Sequence, residues 1–231
     1  MDRLNRSGWM YLLKSFISPF IIALLFFWGA GTTDVPRGWL FIGMTAIHVW
    51  AGAIILAIYN PVVCNERQDW MKKKDTKKWD IYLVLTYGLL QFYIQTYLMG
   101  LDVANGWSYL GMEFVIPGIA MFLASVVLIV WAMTENRFFE VNVRIQKDRK
   151  QTVVSSGPYK YVRHPGYVAA ILWACAGPCI VGSAVGLIPG VLVVALMVFR
   201  THLEDGILQK ELKGYKEYTK KVRYRLLPGV W

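Results

Sequence analysis

Long apolar runs alternate with short polar, mostly basic segments along the whole chain. A helix that crosses a bilayer needs about 20 mostly apolar residues. Membrane-spanning strands would instead alternate apolar and polar positions over about 10 residues, and the runs here are continuous. The pattern therefore predicts six membrane-spanning helices, at residues 16–30, 39–59, 81–100, 110–133, 166–181 and 185–199.

The last two predicted spans are separated only by Gly182, Ser183 and Ala184. A connection this short forces two helices into an antiparallel hairpin. The predicted fold class is therefore all-α: a polytopic membrane helix bundle of about six spans, the last two a tight hairpin, with a cytoplasmic cap. We expect one membrane domain over residues 1–231. It would consist of amino-terminal spans (1–109) and a core (110–231) with a cytoplasmic loop at 135–165 and a tail at 204–231.

Composition agrees with a membrane protein. Hydrophobic residues make up 56% of the chain and charged residues 17%, against about 45–50% and about 25% in soluble domains. The net charge of +10 would suit nucleic acid, but every basic residue except Arg37 lies in residues 1–15, 60–79, 135–165 or 200–231. Six spans place these four segments on one side, which the positive-inside rule makes cytoplasmic. We therefore expect no nucleic-acid partner, two cytoplasmic termini and, in a prokaryote, a plasma-membrane location.

The three cysteines are too few for a disulfide scaffold in a chain of 231 residues. Cys175 and Cys179 share a helix face, but no His or third Cys accompanies them at that depth. We therefore interpret them as small residues in a helix contact and predict no metal site.

The segment 156–167 carries the least ordinary chemistry. A residue that precedes proline is pushed out of the helical region, and proline suits the first position of a helix. The fifth span should therefore begin at Pro165, with Arg163 and His164 just ahead of it. A helix amino end and an arginine together can bind a carboxylate or a phosphate. The alternative is an arginine that reaches lipid headgroups beside residues that merely cap the helix.

Glu204 and Asp205 are an acidic exception on a basic face. Because the predicted hairpin returns to the cytoplasmic side near residue 203, it should bring these carboxylates close to Arg163 and His164. Such a site suits a ligand with both a carboxylate and an ammonium, or one with a ribose diol. The alternative is a surface ion-pair network of little energetic value.

The tail after residue 203 mixes basic, aromatic and apolar positions. Leu208, Leu212 and Tyr215 fit one helical face. We predict an interfacial helix that caps the site, with basic residues that attract anionic membrane lipids.

At these residues the sequence resembles the membrane-embedded methyltransferases related to isoprenylcysteine carboxyl methyltransferase and the phospholipid N-methyltransferases. The resemblance covers roughly residues 110–231. It departs from the family pattern at Asp205, where a second glutamate is common, and at Ala174, where leucine is usual. The matching residues are Asn136 to Phe139, Gly157-Pro158-Tyr159, Val162-Arg163-His164-Pro165-x-Tyr167, Glu204-Asp205, Leu208, Glu211-Leu212, Gly214-Tyr215-x-x-Tyr218 and Leu227-Pro228.

The resemblance implies S-adenosylmethionine as methyl donor, bound at the cytoplasmic ends of the last spans. Arg163 and His164, with the helix start at Pro165, would hold its methionine part. Glu204 and Asp205 would bind its amino group or its ribose. The pocket walls would be Tyr159, Tyr167 and Tyr215.

The acceptor implied is a lipophilic or lipid-modified molecule that enters from the bilayer, either an isoprenylcysteine-type carboxylate or a lipid amine. A carboxylate nucleophile needs no base, whereas an amine must arrive deprotonated, so no base is assigned. Arg200, at the membrane boundary, is the candidate catalytic residue and would orient an anionic acceptor.

Two other classes of protein remain open. A membrane sterol or isoprenoid double-bond reductase that uses NADPH carries a similar arginine-histidine-proline element, but the acidic pair and Gly214-Tyr215 favour the methyltransferase. A small transporter or non-enzymatic membrane protein is the second alternative. Against a transporter, spans two to four have few ionisable residues at mid-membrane depth. The oligomeric state is left open.

Overall fold

A computed structural model describes residues 3–67 and 70–231, and within these ranges the regular structure is helical, without strands. The predicted all-α class is therefore confirmed. Leu89–Ile94 form a π-helical segment that joins the fourth and fifth helices into one continuous helical stretch. The α-helices are α1 Arg6–Ala30, α2 Pro36–Tyr59, α3 Pro61–Asn65, α4 Lys78–Gly88, α5 Gln95–Asn105, α6 Val115–Glu135, α7 Pro165–Val181, α8 Leu187–Glu211 and α9 Tyr215–Lys221.

Four helical stretches are long and apolar enough to cross a membrane: α1, α2, Met112–Glu135 and α8. Helix α7 is shorter, with 17 residues. Helix α1 is longer than the first predicted span, since it begins at Arg6, where the Asn5 side chain accepts a hydrogen bond from Gly8 N. Helix α8 is likewise longer than the last predicted span, because it continues past Phe199 to Glu211. Apolar runs mark the part of a helix in lipid, whereas hydrogen bonding continues it into polar surroundings.

One end of the bundle gathers the amino terminus, the end of α3 and the end of α8. Asn5 N donates to Asn65 Oδ1 at 3.0 Å. Lys77 Nζ donates to Glu211 Oε1 at 2.8 Å. The segments predicted to be cytoplasmic therefore lie together at this end.

The opposite end is held by polar side chains that close the loops there. Asp102 accepts hydrogen bonds from the hydroxyls of Ser108 and Ser183, each at 2.5 Å. Arg37 donates to the carbonyl oxygens of Leu110, Cys179 and Ile180, each at 2.7 Å. The one basic residue outside the four basic segments is thus a cap on the end of α7 rather than an exposed charge.

The predicted hairpin of the last two helices is present. Gly182 ends α7 in the left-handed conformation, with φ of 98°, and its N–H donates to Pro178 O. Helix α8 begins at Leu187 and packs back against α7. The hairpin returns the chain to the end where α7 started, so Arg163 and Asp205 meet although they are distant in sequence.

The tail differs from its prediction in one respect. Gly214 adopts a left-handed conformation, with φ of 85°, and separates α8 from α9. Residues 208–215 are therefore not one helix. Their predicted common face still exists in space, since Leu208, Leu212 and Tyr215 pack in one cluster with Tyr159 and Tyr218. The tail closes over the irregular loop that follows α6.

Candidate functional site

A cleft opens between the loop after α6, the start of α7, the end of α8 and α9. Its empty space, including the open mouth, is about 840 Å³. One wall is aromatic and apolar, and the other is polar. The polar and charged lining residues include Asn136, Glu140, Asn142, Arg144, Gln146, Gln151, Arg163, His164 and Glu204.

The structure brings the predicted donor-binding residues together at this cleft. Asp205 lies directly behind the lining, and Arg200 lies beneath it. The predicted residues that line the cleft are Tyr159, Arg163, His164, Pro165, Tyr167, Glu204 and Tyr215.

Helix α7 begins at Pro165, as predicted, and His164 before it lies outside the helical region, with φ of −126° and ψ of 62°. The first turn offers fewer free N–H groups than a regular helix end. The N–H groups of Tyr167 and Val168 both donate to His164 O. Since proline has no N–H, Gly166 supplies the one N–H of this turn that has no partner in the described part of the chain.

Asp205 is the carboxylate that organises the site. It is fully buried, and both of its oxygens accept hydrogen bonds. His164 Nε2 lies 3.3 Å from Oδ1. The donors are Arg163 Nε and Nη2 at 2.8 and 3.0 Å, Gln209 Nε2 at 2.8 Å, Tyr215 OH at 3.0 Å and Arg225 Nε at 3.0 Å. Its oxygens are therefore engaged by the protein itself.

The hydrogen bonds of the Arg163 side chain go to other parts of the protein rather than into the cleft. Besides its two bonds to Asp205, its Nη1 donates to the carbonyl oxygens of Val222 and Arg223, at 2.8 and 2.7 Å. The backbone N–H groups of Arg163 and His164 donate to the carbonyl oxygens of Tyr224 and Arg225. The start of α7 and the tail are thus fastened to each other through this arginine.

Glu204 is the carboxylate that remains open to the cleft. Its side chain is 22% exposed, and it accepts a hydrogen bond from Tyr167 OH. His164 Nδ1 lies 4.0 Å from Glu204 Oε2, and the His164 ring stacks on Tyr167, with ring centroids 5.6 Å apart. One end of the cleft therefore presents a carboxylate, an imidazole and a free backbone N–H side by side.

The tyrosines of the aromatic wall act as hydrogen-bond donors. Burial, with the negative charge of Asp205, raises the pKa of Tyr215 well above its ordinary value. Burial also raises the pKa of Tyr159. Both hydroxyls therefore stay protonated near neutral pH, and neither can serve as a general base there. Tyr218 OH donates to Tyr159 O at 2.7 Å and fixes the wall.

Arg200 lies next to the cleft lining, and hydrogen bonds to other parts of the protein fix its guanidinium. Its Nε and Nη2 donate to the two oxygens of the fully buried Asp80 at 2.7 and 2.9 Å. Nη2 also donates to Val141 O at 2.6 Å. Its guanidinium carbon lies 5.0 Å from the centre of the Tyr167 ring. Nη1 has no hydrogen-bond partner in the described ranges, so this nitrogen is the part of Arg200 left to meet a ligand.

Sequence reasoning missed Asp80 and most of the loop after α6. Asp80 follows the basic segment 60–79 and looks like an ordinary charge at a helix start. It binds Arg200 and also accepts a hydrogen bond from Val143 N at 2.7 Å. The loop did carry a signal: residues 141–146 alternate apolar with Asn142, Arg144 and Gln146, which is typical of extended backbone.

The chain is similar in sequence to known methyltransferases. Residues 118–210 match the model of the isoprenylcysteine carboxyl methyltransferase (ICMT) family. The chain is also similar to a protein-S-isoprenylcysteine O-methyltransferase of Dictyostelium discoideum, with 23% identity over 192 residues, which are 81% of this chain and 75% of that protein. The family resemblance expected from the sequence is confirmed, and the matched range contains α7 and the acidic pair.

Proposed function

We propose that this chain is an integral membrane enzyme that transfers a methyl group from S-adenosylmethionine to the carboxylate of an isoprenylcysteine-type acceptor. The match of residues 118–210 to the model of the ICMT family, a family of methyltransferases, supports this proposal. The observation that carries the proposal is the position of Arg200. Its Nη1 has no hydrogen-bond partner in the described residues, and its guanidinium carbon lies 5.0 Å from the ring centre of Tyr167, a residue of the cleft lining. A lipid-anchored carboxylate and a water-soluble donor would meet at that point.

The cleft fits the donor by its chemistry. S-adenosylmethionine combines an amino-acid end with an aromatic base. The carboxylate of Glu204 suits the ammonium, and the Gly166 N–H with His164 suits the carboxylate of the amino acid. Tyr159 and Tyr215 provide aromatic surface for the base. When bound, the donor supplies an activated methyl group on its sulfonium.

Arg163 and Asp205 have a different part in this proposal from the one expected. Their hydrogen bonds are used within the protein, so they position His164, Tyr215 and the tail rather than touch the donor. A rigid shell of this kind holds reacting groups in a productive geometry. The residues proposed to contact the donor are His164, Gly166, Glu204 and the cleft tyrosines.

The acceptor is proposed to be a carboxylate because of the charge beneath the cleft. Arg200 can neutralise and orient an anion, and a carboxylate needs no deprotonation before it attacks. An ammonium headgroup would be repelled by Arg200 and would require a base. The cleft tyrosines Tyr159 and Tyr215 remain protonated near neutral pH and cannot supply one. Alignment and exclusion of water then contribute to the rate.

The orientation follows from the charges at the cleft end. The basic segments lie at the cleft end, and under the positive-inside rule this supports a cytoplasmic cleft and two cytoplasmic termini. We propose a multi-pass protein, in the plasma membrane if the source is prokaryotic, that draws its acceptor sideways from the inner leaflet.

The cofactor is tested by ligand-dependent stability of the detergent-solubilised protein. A ligand that binds only the folded state raises the melting temperature. S-adenosylmethionine should raise it, and NADPH should not. A shift of the melting temperature with NADPH alone would favour the reductase.

The acceptor is tested by activity. Methylation of a phospholipid amine in place of a farnesylated cysteine carboxylate would overturn the proposed acceptor.

Glu204→Ala and Arg163→Ala should each weaken donor binding. The first removes the partner of the ammonium, and the second releases the start of α7 from Asp205. We expect at least a tenfold loss of affinity, which corresponds to about 1.4 kcal/mol, measured by calorimetry with S-adenosylhomocysteine. His202→Ala is the control, since His202 is exposed on α8 beside the acidic pair. Unchanged affinity in both variants would refute the site.

A further inference from the structure

Asn142 carries a buried acceptor that the protein does not use. The residue lines the cleft and is 7% exposed. Its Nδ2 donates to Trp70 O at 2.6 Å. Its Oδ1 is buried and has no hydrogen-bond partner in the described residues. Of the described residues that carry a buried side-chain atom without a partner, Asn142 is the one that lines the cleft.

The orientation of this amide is fixed by its neighbour. A backbone carbonyl accepts hydrogen bonds but does not donate them, so the nitrogen of Asn142 must face Trp70 O and the oxygen must face away. A buried acceptor without a partner costs about 1–3 kcal/mol. Such a cost is removed when a bound ligand supplies the missing donor.

The other amides of the same wall are satisfied, which singles out Asn142. Asn136 accepts from Phe138 N and donates to Tyr159 OH. Gln146 donates to Phe138 O and accepts from Arg149 Nη1. Both ends of each of these amides have protein partners. The amides of Asn136 and Gln146 therefore hold the shape of the loop, whereas Asn142 Oδ1 is left buried without a protein donor in the described residues.

We propose that Asn142 Oδ1 accepts a hydrogen bond from the adenosine part of S-adenosylmethionine, either from a ribose hydroxyl or from the amino group of the base. This inference rests on the proposed function. An ammonium in a buried place calls for a charged partner, and Glu204 provides it beside α7. The neutral oxygen of Asn142, on the loop after α6, matches a neutral O–H or N–H group instead.

The test compares two ligands and two substitutions by calorimetry on the full-length protein in detergent. S-adenosylhomocysteine contains the amino-acid and adenosine parts, whereas 5′-methylthioadenosine lacks the amino-acid part. Asn142→Leu preserves the approximate shape and removes the acceptor. It should weaken both ligands about tenfold, the equivalent of one lost hydrogen bond to a buried group. Glu204→Gln should weaken S-adenosylhomocysteine and leave 5′-methylthioadenosine unchanged.

Asn142→Asp separates binding from a structural role. Aspartate keeps an oxygen at this position but loses the N–H group that binds Trp70 O. If Asn142 acts as the ligand's acceptor, Asn142→Asp binds both ligands more tightly than Asn142→Leu does. Equal losses in the two variants, an unchanged affinity in Asn142→Leu, or a loss limited to S-adenosylhomocysteine would overturn the inference. Failure of the wild-type protein to bind either ligand would instead refute the proposed function. Asn142→Ala replaces the leucine variant if that one does not fold.

Discussion

Replacing Asp205 with alanine is expected to abolish measurable donor binding and to cause the largest loss of stability of any single substitution at the site. The carboxylate is fully buried and accepts hydrogen bonds from two arginines, Arg163 and Arg225. Its removal leaves these charges without their partner. Breaking a buried ion pair in this way costs about 3–5 kcal/mol. Because Arg163 also fastens the tail, the change should loosen His164 and Tyr215 together.

The measurement is the melting temperature of the solubilised protein, with S-adenosylhomocysteine affinity measured in parallel. The matched control is Asp148→Ala. Asp148 also pairs with an arginine, Arg144, at 2.8 Å, but its side chain is 61% exposed. An exposed pair contributes little, so the control should melt close to the wild type. Equal shifts in the two variants would contradict the role given to Asp205.

Asp205→Asn refines the same prediction. The amide keeps the shape but loses the negative charge that balances Arg163 and Arg225, and its nitrogen faces donors instead of acceptors. We expect a variant that folds less stably than the wild type and binds the donor poorly. Full donor affinity in Asp205→Asn would show that the charge is dispensable.

The elements of the fold that could be predicted are those with a local cause. The short connection at Gly182 predicts the hairpin because a linker of so few residues forces the two helices to pack side by side. Pro165 predicts the start of α7 because proline suits the first helical position. From these two features the meeting of Arg163 and His164 with Glu204 and Asp205 follows, and the structure has it.

The roles within the site could not be predicted in the same way. Helix spacing places Gln209 four residues after Asp205 on α8, but nothing local indicates that Tyr215 and Arg225 also bind this carboxylate, since Arg225 arrives from an irregular tail. The break at Gly214 was missed because a helical face continues across it in sequence. The partner of Arg200 was missed for a related reason: Asp80 lies far from it in sequence, in a region that reads only as spans.

Asp80 ties the amino-terminal half of the chain to the site. It lies outside the range that matches the family, yet it holds Arg200 with both oxygens and binds the backbone of the loop at Val143. The guanidinium carbon of Arg200 lies 5.0 Å from the ring centre of Tyr167, and Tyr167 OH donates to Glu204. A continuous chain of contacts therefore runs from α4 to the donor cleft.

Arg200→Ala is accordingly expected to remove methyl transfer while donor binding persists. The free Nη1 is the proposed contact with the acceptor carboxylate. Truncating one partner of a buried, hydrogen-bonded charge pair costs about 2–5 kcal/mol, so kcat/KM for a farnesylated N-acetylcysteine should fall by a factor on the order of 100 or more. S-adenosylhomocysteine affinity should change much less, because Arg200 is not part of the cleft lining.

Asp80→Asn tests whether Arg200 must also be held. The substitution keeps the shape of the side chain on α4 but weakens its bidentate hydrogen bonding to the Arg200 guanidinium. We therefore expect a raised KM for the acceptor, with donor affinity preserved. Asp102→Asn is the matched control, because Asp102 is equally buried but binds Ser108 and Ser183 at the opposite end. It should lower the melting temperature without raising the acceptor KM. If both variants raise that KM equally, Asp80 stabilises the bundle and does not position Arg200. If Arg200→Ala loses donor binding as severely as it loses methyl transfer, the arginine serves the cleft and not the acceptor.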